Sequence, residues 1–188
     1  MKIFVKRILQ LLLGFENYLY VFARYIISTL HRNRKEGDFL YFLGLLRDGE
    51  TAIDIGANIG AMTVHLSRRL PGSVIIAIEP VPCNLRTLKR VVKHYDISNV
   101  VVVEKALGNY RGEIEMVLPV QKNVRLHGLS HVVHESMHEY NEGEKVKVQQ
   151  IPLSELEELK GKARVGGIKI DVENYEYFVL DGGKELLK

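Results

Sequence analysis

The stretch Glu50-Thr51-Ala52-Ile53-Asp54-Ile55-Gly56-Ala57-Asn58-Ile59-Gly60 constrains the fold more than any other part of the chain. Ala52 to Ile55 is a short apolar run with β-branched isoleucines on either side of Asp54. That pattern suits a central strand of a parallel sheet, buried on both faces. Glycines follow at 56 and 60. An amphipathic segment comes next, with Met62, Leu66 and Leu70 on one helical face and Arg68 and Arg69 off it. Strand, glycine turn and helix together aim backbone N–H groups and a positive helix end at a ligand.

The spacing of the turn narrows the ligand. A dinucleotide fingerprint needs Gly-x-Gly-x-x-Gly, whose second glycine lets the backbone approach a pyrophosphate. Asn58 occupies that position here, and no Lys-Ser/Thr pair follows Gly60 as in a triphosphate loop. Asp54-x-Gly56-x-Asn58-x-Gly60 resembles instead the first motif of class I S-adenosylmethionine-dependent methyltransferases. A sulfonium ligand has no phosphate, so a side chain at 58 is tolerable, and Gly56 is expected to leave room for the ligand. A second buried-type strand, Val74 to Ile78, ends in Glu79, 25 residues after Asp54. An acid at the tip of the second strand is where such folds hold ribose hydroxyls. A nucleotide-binding protein of similar topology is the alternative reading.

The remaining chain reads as one α/β domain behind an N-terminal arm. At 188 residues and 46% hydrophobic content there is enough apolar material for a core. Residues 1–35 carry seven Lys/Arg against Glu16 alone, a net of +6, leaving 19 basic and 22 acidic residues, or −3, for 36–188. The globular part therefore offers no nucleic-acid surface. The lone Cys83 excludes an internal disulfide and fits a reducing, cytoplasmic compartment. Residues 3–30 read as an apolar helix. Lys6, Arg7, Glu16 and Arg24 break every run near the ~18 residues a membrane span needs. Gln10, Asn17, Arg24 and His31 recur every seven residues as one polar stripe. Such a helix is buried against its own domain, a partner, or a bilayer interface, with Arg32, Arg34 and Lys35 at the headgroups. A further helix is expected over Glu36–Arg47. Another is expected from Asn84, as its cap, to about Tyr95. Val100–Val103 reads as a third strand, and Ile114–Leu118 with Lys145–Ile151 as half-exposed strands flanking a histidine-rich loop, an insertion over 113–151. Ser154 and Glu157 resemble a capping box. Gly166 to Glu173 reads as the fourth main strand, with Asp171 and Glu173 at its C-terminal end, where ligand chemistry gathers in open α/β sheets.

Asp54–Gly60, Glu79-Pro80 with Asn84, Ala106-Leu107-Gly108, and Lys169-Ile170-Asp171-Val172-Glu173 followed by Glu176, Leu180 and Gly182-Gly183 resemble the FkbM-type methyltransferases. The resemblance runs from about residue 37 to the C-terminus. It implies a Rossmann-like sheet with helices on both faces. It also implies methyl transfer from S-adenosyl-L-methionine, usually to a hydroxyl oxygen of a sugar or secondary metabolite, so the expected partner is a small-molecule or glycan acceptor. On this resemblance Asp54, Gly56, Ala57, Asn58, Gly60, Glu79, Pro80, Asn84, Ala106, Leu107 and Asp171 are the expected cofactor contacts. Asp171 and Glu173 are the catalytic candidates, with a histidine of 127–138 as another candidate base. Asn174 stands where the family usually has glycine.

Two further expectations follow. His134-Glu135-Ser136-Met137-His138 matches the zinc-protease pattern His-Glu-x-x-His. It lacks the glycine and third histidine of the longer version, and no metal site is assigned. A class I sheet has strand order 3-2-1-4-5-7-6, whereas this sequence supplies 3-2-1-4 and an inserted hairpin. Strand 4 is then an edge that invites coverage by the arm or pairing with a second chain. A chain of 188 residues is expected to bind cofactor weakly and to turn over little or nothing, and to dimerise, aggregate or be a truncated piece of a longer protein; a non-catalytic module of the same fold is the alternative.

Overall fold

The computed structural model describes residues 3–132, 143–161 and 164–187. In chain order the helices are α1 (Ile3–Leu13), α2 (Phe15–Thr29), α3 (Gly37–Leu45), α4 (Ala61–Arg69), α5 (Pro82–His94) and α6 (Glu176–Gly182). The strands are β1 (Thr51–Ile55), β2 (Ile75–Ile78), β3 (Val100–Val103), β4 (Ala106–Gly108), β5 (Gly112–Gln121), β6 (Val124–Arg125), β7 (His131–Val132), β8 (Gly143–Pro152) and β9 (Val165–Ile170).

Four parallel strands form the first sheet, in the order β3-β2-β1-β9. Every residue of β1 and β2 is buried, as central strands flanked on both edges and covered on both faces are. The register aligns the strand ends: Ile55 lies beside Ile78 and Ile170, and Ile78 beside Val103. Four C-terminal tips thus finish at one level, which is where this architecture binds ligands. Leu66 and Leu70 pack with Ala52 and Ile75, and Leu88 of α5 packs with Ala57 and Ala77. Fully burying such side chains stabilises by about 1.5–3 kcal/mol each.

The chain before β1 departs from the single expected helix. Gly14, at φ +70° and ψ 159°, breaks residues 3–30 into α1 and α2. Only α2 is built into the core: Tyr18, Leu19, Ala23 and Ile27 are buried with Ile59, Val64 and Val91. His65 Nε2 donates to the Ile27 carbonyl (3.2 Å). The seven-residue polar stripe turns towards the domain, because Gln10 bonds the Arg125 backbone, Asn17 accepts from Arg90 (2.8 Å), and the His31 ring packs edge-on to His65. Among the described residues the arm therefore lies on α4, α5 and β6, and does not cover β9.

A second sheet runs β4-β8-β5-β6, with β7 also on β5. β5 and β8 form the expected antiparallel hairpin, longer than predicted. The parallel pairing of β8 with the three-residue β4 ties that hairpin to the first sheet's end. Three local expectations are corrected. Val81 precedes α5 with Pro82 at its first turn, a position suited to proline, so Asn84 lies inside the helix. Ser154 and Glu157 sit in two short 3₁₀ turns. The fourth strand ends at Ile170, which leaves Asp171 to Glu173 in the loop beyond it.

Candidate functional site

At the C-terminal tips of β1, β2 and β9 lies a cleft that opens to solvent, at the place in an open α/β sheet where ligands bind. Ile55, Ile78, Val81, Leu107, Met116 and Val132 give it an apolar wall. Its charged lining consists of Glu79, Asp171 and Glu173, with no lysine or arginine among the described lining residues. Asn58 and Asn84 add neutral polar groups, and Tyr175 closes one side.

Glu79 is almost fully buried. The Asn58 N–H donates to its Oε2 (2.8 Å), the Val81 N–H to its Oε1 (2.8 Å), and Asn84 Nδ2 lies 3.5 Å from Oε1. Burial pushes its carboxyl up to about 7, against the opposing pull of these donors and of Lys169. This acid therefore braces the turn after β1 and the start of α5 while presenting an edge to the cleft.

Under the cleft floor lies a lysine that sequence reasoning left without a role. β1 and β9 pair with Asp54 beside Lys169. Lys169 Nζ reaches Asp54 Oδ1 (3.0 Å), donates to the Gly56 carbonyl (2.9 Å), and lies 3.7 Å from Asp171 Oδ2. Thr63 donates to the other Asp54 oxygen (2.7 Å). Burial alone would lower the Lys169 pKa, but Asp54 and Asp171 outweigh it and hold the ammonium above the usual lysine range. A buried carboxylate such as Asp54 is tolerated only with such partners. The network fixes the glycine turn to the end of β9.

Beyond β9 the backbone is unusual. Glu173 (φ +41°) and Asn174 (φ +63°) are successive non-glycine residues in the left-handed region, a conformation that costs on the order of 1–3 kcal/mol per residue. Asparagine is among the side chains that tolerate it, so Asn174 meets the backbone demand that glycine meets elsewhere. Glu173 is among the residues that line the cleft. Burial raises its pKa, Asp171 and Glu176 add to the rise, and His131 opposes it. His131 itself is buried, and its Nδ1 donates to the Leu129 carbonyl (2.9 Å).

The predicted cofactor contacts separate into two groups. Gly56, Asn58, Glu79, Pro80, Asn84, Ala106, Leu107 and Asp171 line the cleft together with Glu173. Asp54, Ala57 and Gly60 do not; they support it from behind. The expected reason for Gly56 is also corrected. A Cβ there would stand 2.0 Å from the Asp171 carbonyl oxygen, so the glycine admits the β9 loop, not a ligand. At Gly60 (φ +83°) a Cβ would meet Leu88 at 2.6 Å, a helix-packing constraint. The His134–His138 motif lies outside the described residues. Among those described, no group of His, Cys, Asp and Glu is arranged to hold a metal.

Residues 54–188 match the methyltransferase FkbM domain. The chain belongs to the FkbM methyltransferase family. A curated relative, Methyltransferase 1 of Beauveria bassiana (strain ARSEF 2860), is 29% identical over 159 residues, which are 77% of this chain and 63% of that protein. The chain thus spans less than two thirds of that relative's length. Among solved structures, a precorrin-6y C5,15-methyltransferase from Geobacter metallireducens GS-15 is 28% identical, with TM-score 0.33, covering 35% of this chain and 36% of its own. Coclaurine N-methyltransferase bound to N-methylheliamine and SAH is 20% identical, with TM-score 0.31, covering 35% and 21%.

Several lining residues of this FkbM domain escaped sequence reasoning. Met116, Gly128, Ser130 and Val132 come from the hairpin and its insert, which fold over the strand tips. Tyr175 is placed by its hydroxyl, which donates to Gln150 Oε1 (3.0 Å). Its position directly after Asp171–Asn174 was a signal that could have been used; the hairpin residues carried none.

Proposed function

We propose that the chain binds S-adenosylmethionine in this cleft and supports methyl transfer to a hydroxyl oxygen of a sugar or secondary metabolite. One observation carries the reading: the charged lining is three carboxylates and no cation. A ligand bearing a sulfonium and an ammonium is attracted there, whereas a pyrophosphate is repelled, which disfavours the nucleotide alternative. The residues fit the cofactor by their chemistry. Glu79 is an acceptor for a ribose diol, Ala106 and Leu107 offer an apolar edge for adenine, and the exposed Asp171 carboxylate is an acceptor for the ammonium.

Once bound, the cofactor supplies an already activated methyl group. The protein's task is then orientation, which can supply several kcal/mol, and removal of the acceptor proton. Glu173 suits that role: it lines the cleft, it is half-buried, and burial raises its pKa. Asp171 is more exposed and is committed to Lys169. Met116 and Val132 add apolar lining to the cleft.

Titration calorimetry with S-adenosylhomocysteine and with NAD tests the assignment. We expect the first to bind and Glu79→Ala to weaken it at least ~10-fold, from the loss of charge-assisted bonds. Glu173→Gln should retain binding and lose methyl transfer. Preferential binding of NAD, or unchanged affinity in Glu79→Ala, would sink the reading.

A further inference from the structure

α1 is mounted with its apolar face outward. Phe4, Val5, Ile8, Leu11 and Leu12 are 70, 42, 39, 75 and 76% exposed. Their spacing, i, i+1, i+4, i+7 and i+8, is that of one continuous helical face. A solvated helix ordinarily presents the opposite face. The rotation of α1 is held by two hydrogen bonds, Gln10 Nε2 to the Arg125 carbonyl (3.1 Å) and the Arg125 N–H to Gln10 Oε1 (3.2 Å). Gln10 is thus turned to the domain together with Leu9, which packs against the α2 cluster, and the Phe4–Leu12 face is turned away from it.

Cations lie beside that face and in the groove behind it, which Glu36 also lines. Arg7 is exposed on α1 itself. Lys6 and Arg32 line the open groove between α1 and the turns after α2, with Arg34 and Lys35 exposed next along the chain. Among the described residues none of these five joins an ion pair. Glu16, the only acid of residues 1–35, is engaged by Arg86 (2.6 Å).

We infer that α1 docks the protein on an anionic lipid bilayer, lying in the interface with Phe4, Ile8, Leu11 and Leu12 among the acyl chains and the basic groups at the headgroups. Charge decides the occupant. A second copy would bring a +6 segment against a +6 segment, whereas an anionic surface gains about 1 kcal/mol per apposed Lys or Arg. With 11 residues, α1 lies on the membrane; no helix among the described residues is long and apolar enough to cross one.

The absence of tryptophan from the chain makes the test direct, because Phe4→Trp is then a sole reporter. With phosphatidylcholine vesicles containing phosphatidylglycerol we expect a blue shift of its emission, quenching by brominated acyl chains, and reversal by salt. Leu11→Glu with Leu12→Glu in the same background should weaken vesicle binding at least ~10-fold. Both positions are exposed, so the melting temperature should be retained. An emission that stays unshifted with anionic vesicles would overturn the inference. So would a blue shift without lipid, accompanied by a doubled mass in light scattering, which would make the face a dimer contact instead.

Discussion

Glu79 makes the site's behaviour depend on pH. Its carboxyl, raised to about 7, keeps its proton where the unfolded chain, near 4.5, has lost it. The folded state then binds more protons across that window, so this group's stabilising contribution is complete below the lower value and is lost as pH rises through the upper one. Roughly 3 kcal/mol is at stake. Ligand binding runs the other way. Ribose hydroxyls donate to the carboxylate, so affinity for S-adenosylhomocysteine should rise up to ~10-fold per pH unit below 7 and level off above it. Calorimetry from about pH 6 to about pH 8 checks this; a flat profile in the native chain would contradict it, and Glu79→Gln should be flat. At this scale much of the site was legible. An acid ending an apolar strand, 25 residues after another such strand's acid, is a local pattern. Lys169 was not legible, because its role comes from the β1–β9 register that sets it beside Asp54, 115 residues away in the chain.

At the scale of elements, the apolar runs predicted β1, β2, β3 and β9 with small errors at their ends, since each is a short run rich in β-branched residues, buried throughout in β1 and β2 and half-buried in β3 and β9. β4 gave no such signal. It has three residues, and its parallel pairing with β8 is a tertiary contact that no local period encodes. That pairing nonetheless positions the hairpin over the cleft, and α6 packs on the same strand. The contact is backbone to backbone: a Cβ at Gly182 would stand 1.9 Å from the Gly108 carbonyl oxygen. Gly182→Ala should therefore push α6 away from β4 and cost roughly 2–4 kcal/mol, in the range of overpacked or strained sites. Urea unfolding measures this. The same change at Gly128, where a Cβ meets nothing within 4 Å, is expected to stay within about 0.5 kcal/mol. Equal effects at the two positions would show that the α6–β4 approach is not the constraint.

At the scale of the whole molecule, the arm packs away from β9 among the described residues. α2 is spent on α4 and α5, and α1 is fixed through Gln10 to Arg125. Among the described residues β9 pairs only with β1. Its side chains are half-buried, unlike those of β1 and β2. The Asp171 N–H donates to the Ile55 carbonyl (3.0 Å). Alternation along a strand therefore directs the Lys169 N–H inward as well, and the Ile168 and Ile170 N–H groups outward along the edge. An apolar edge of this kind is a template for a second strand. We expect a second copy to pair there as protein concentration rises. Amide hydrogen exchange distinguishes this from other modes of association. The Lys169 and Asp171 amides should be protected at every concentration, whereas Ile168 and Ile170 should gain protection only as the light-scattering mass doubles. Doubling of mass with exchange at Ile168 and Ile170 unchanged would place the dimer contact elsewhere, and a constant monomer mass would leave β9 an edge that the isolated chain tolerates.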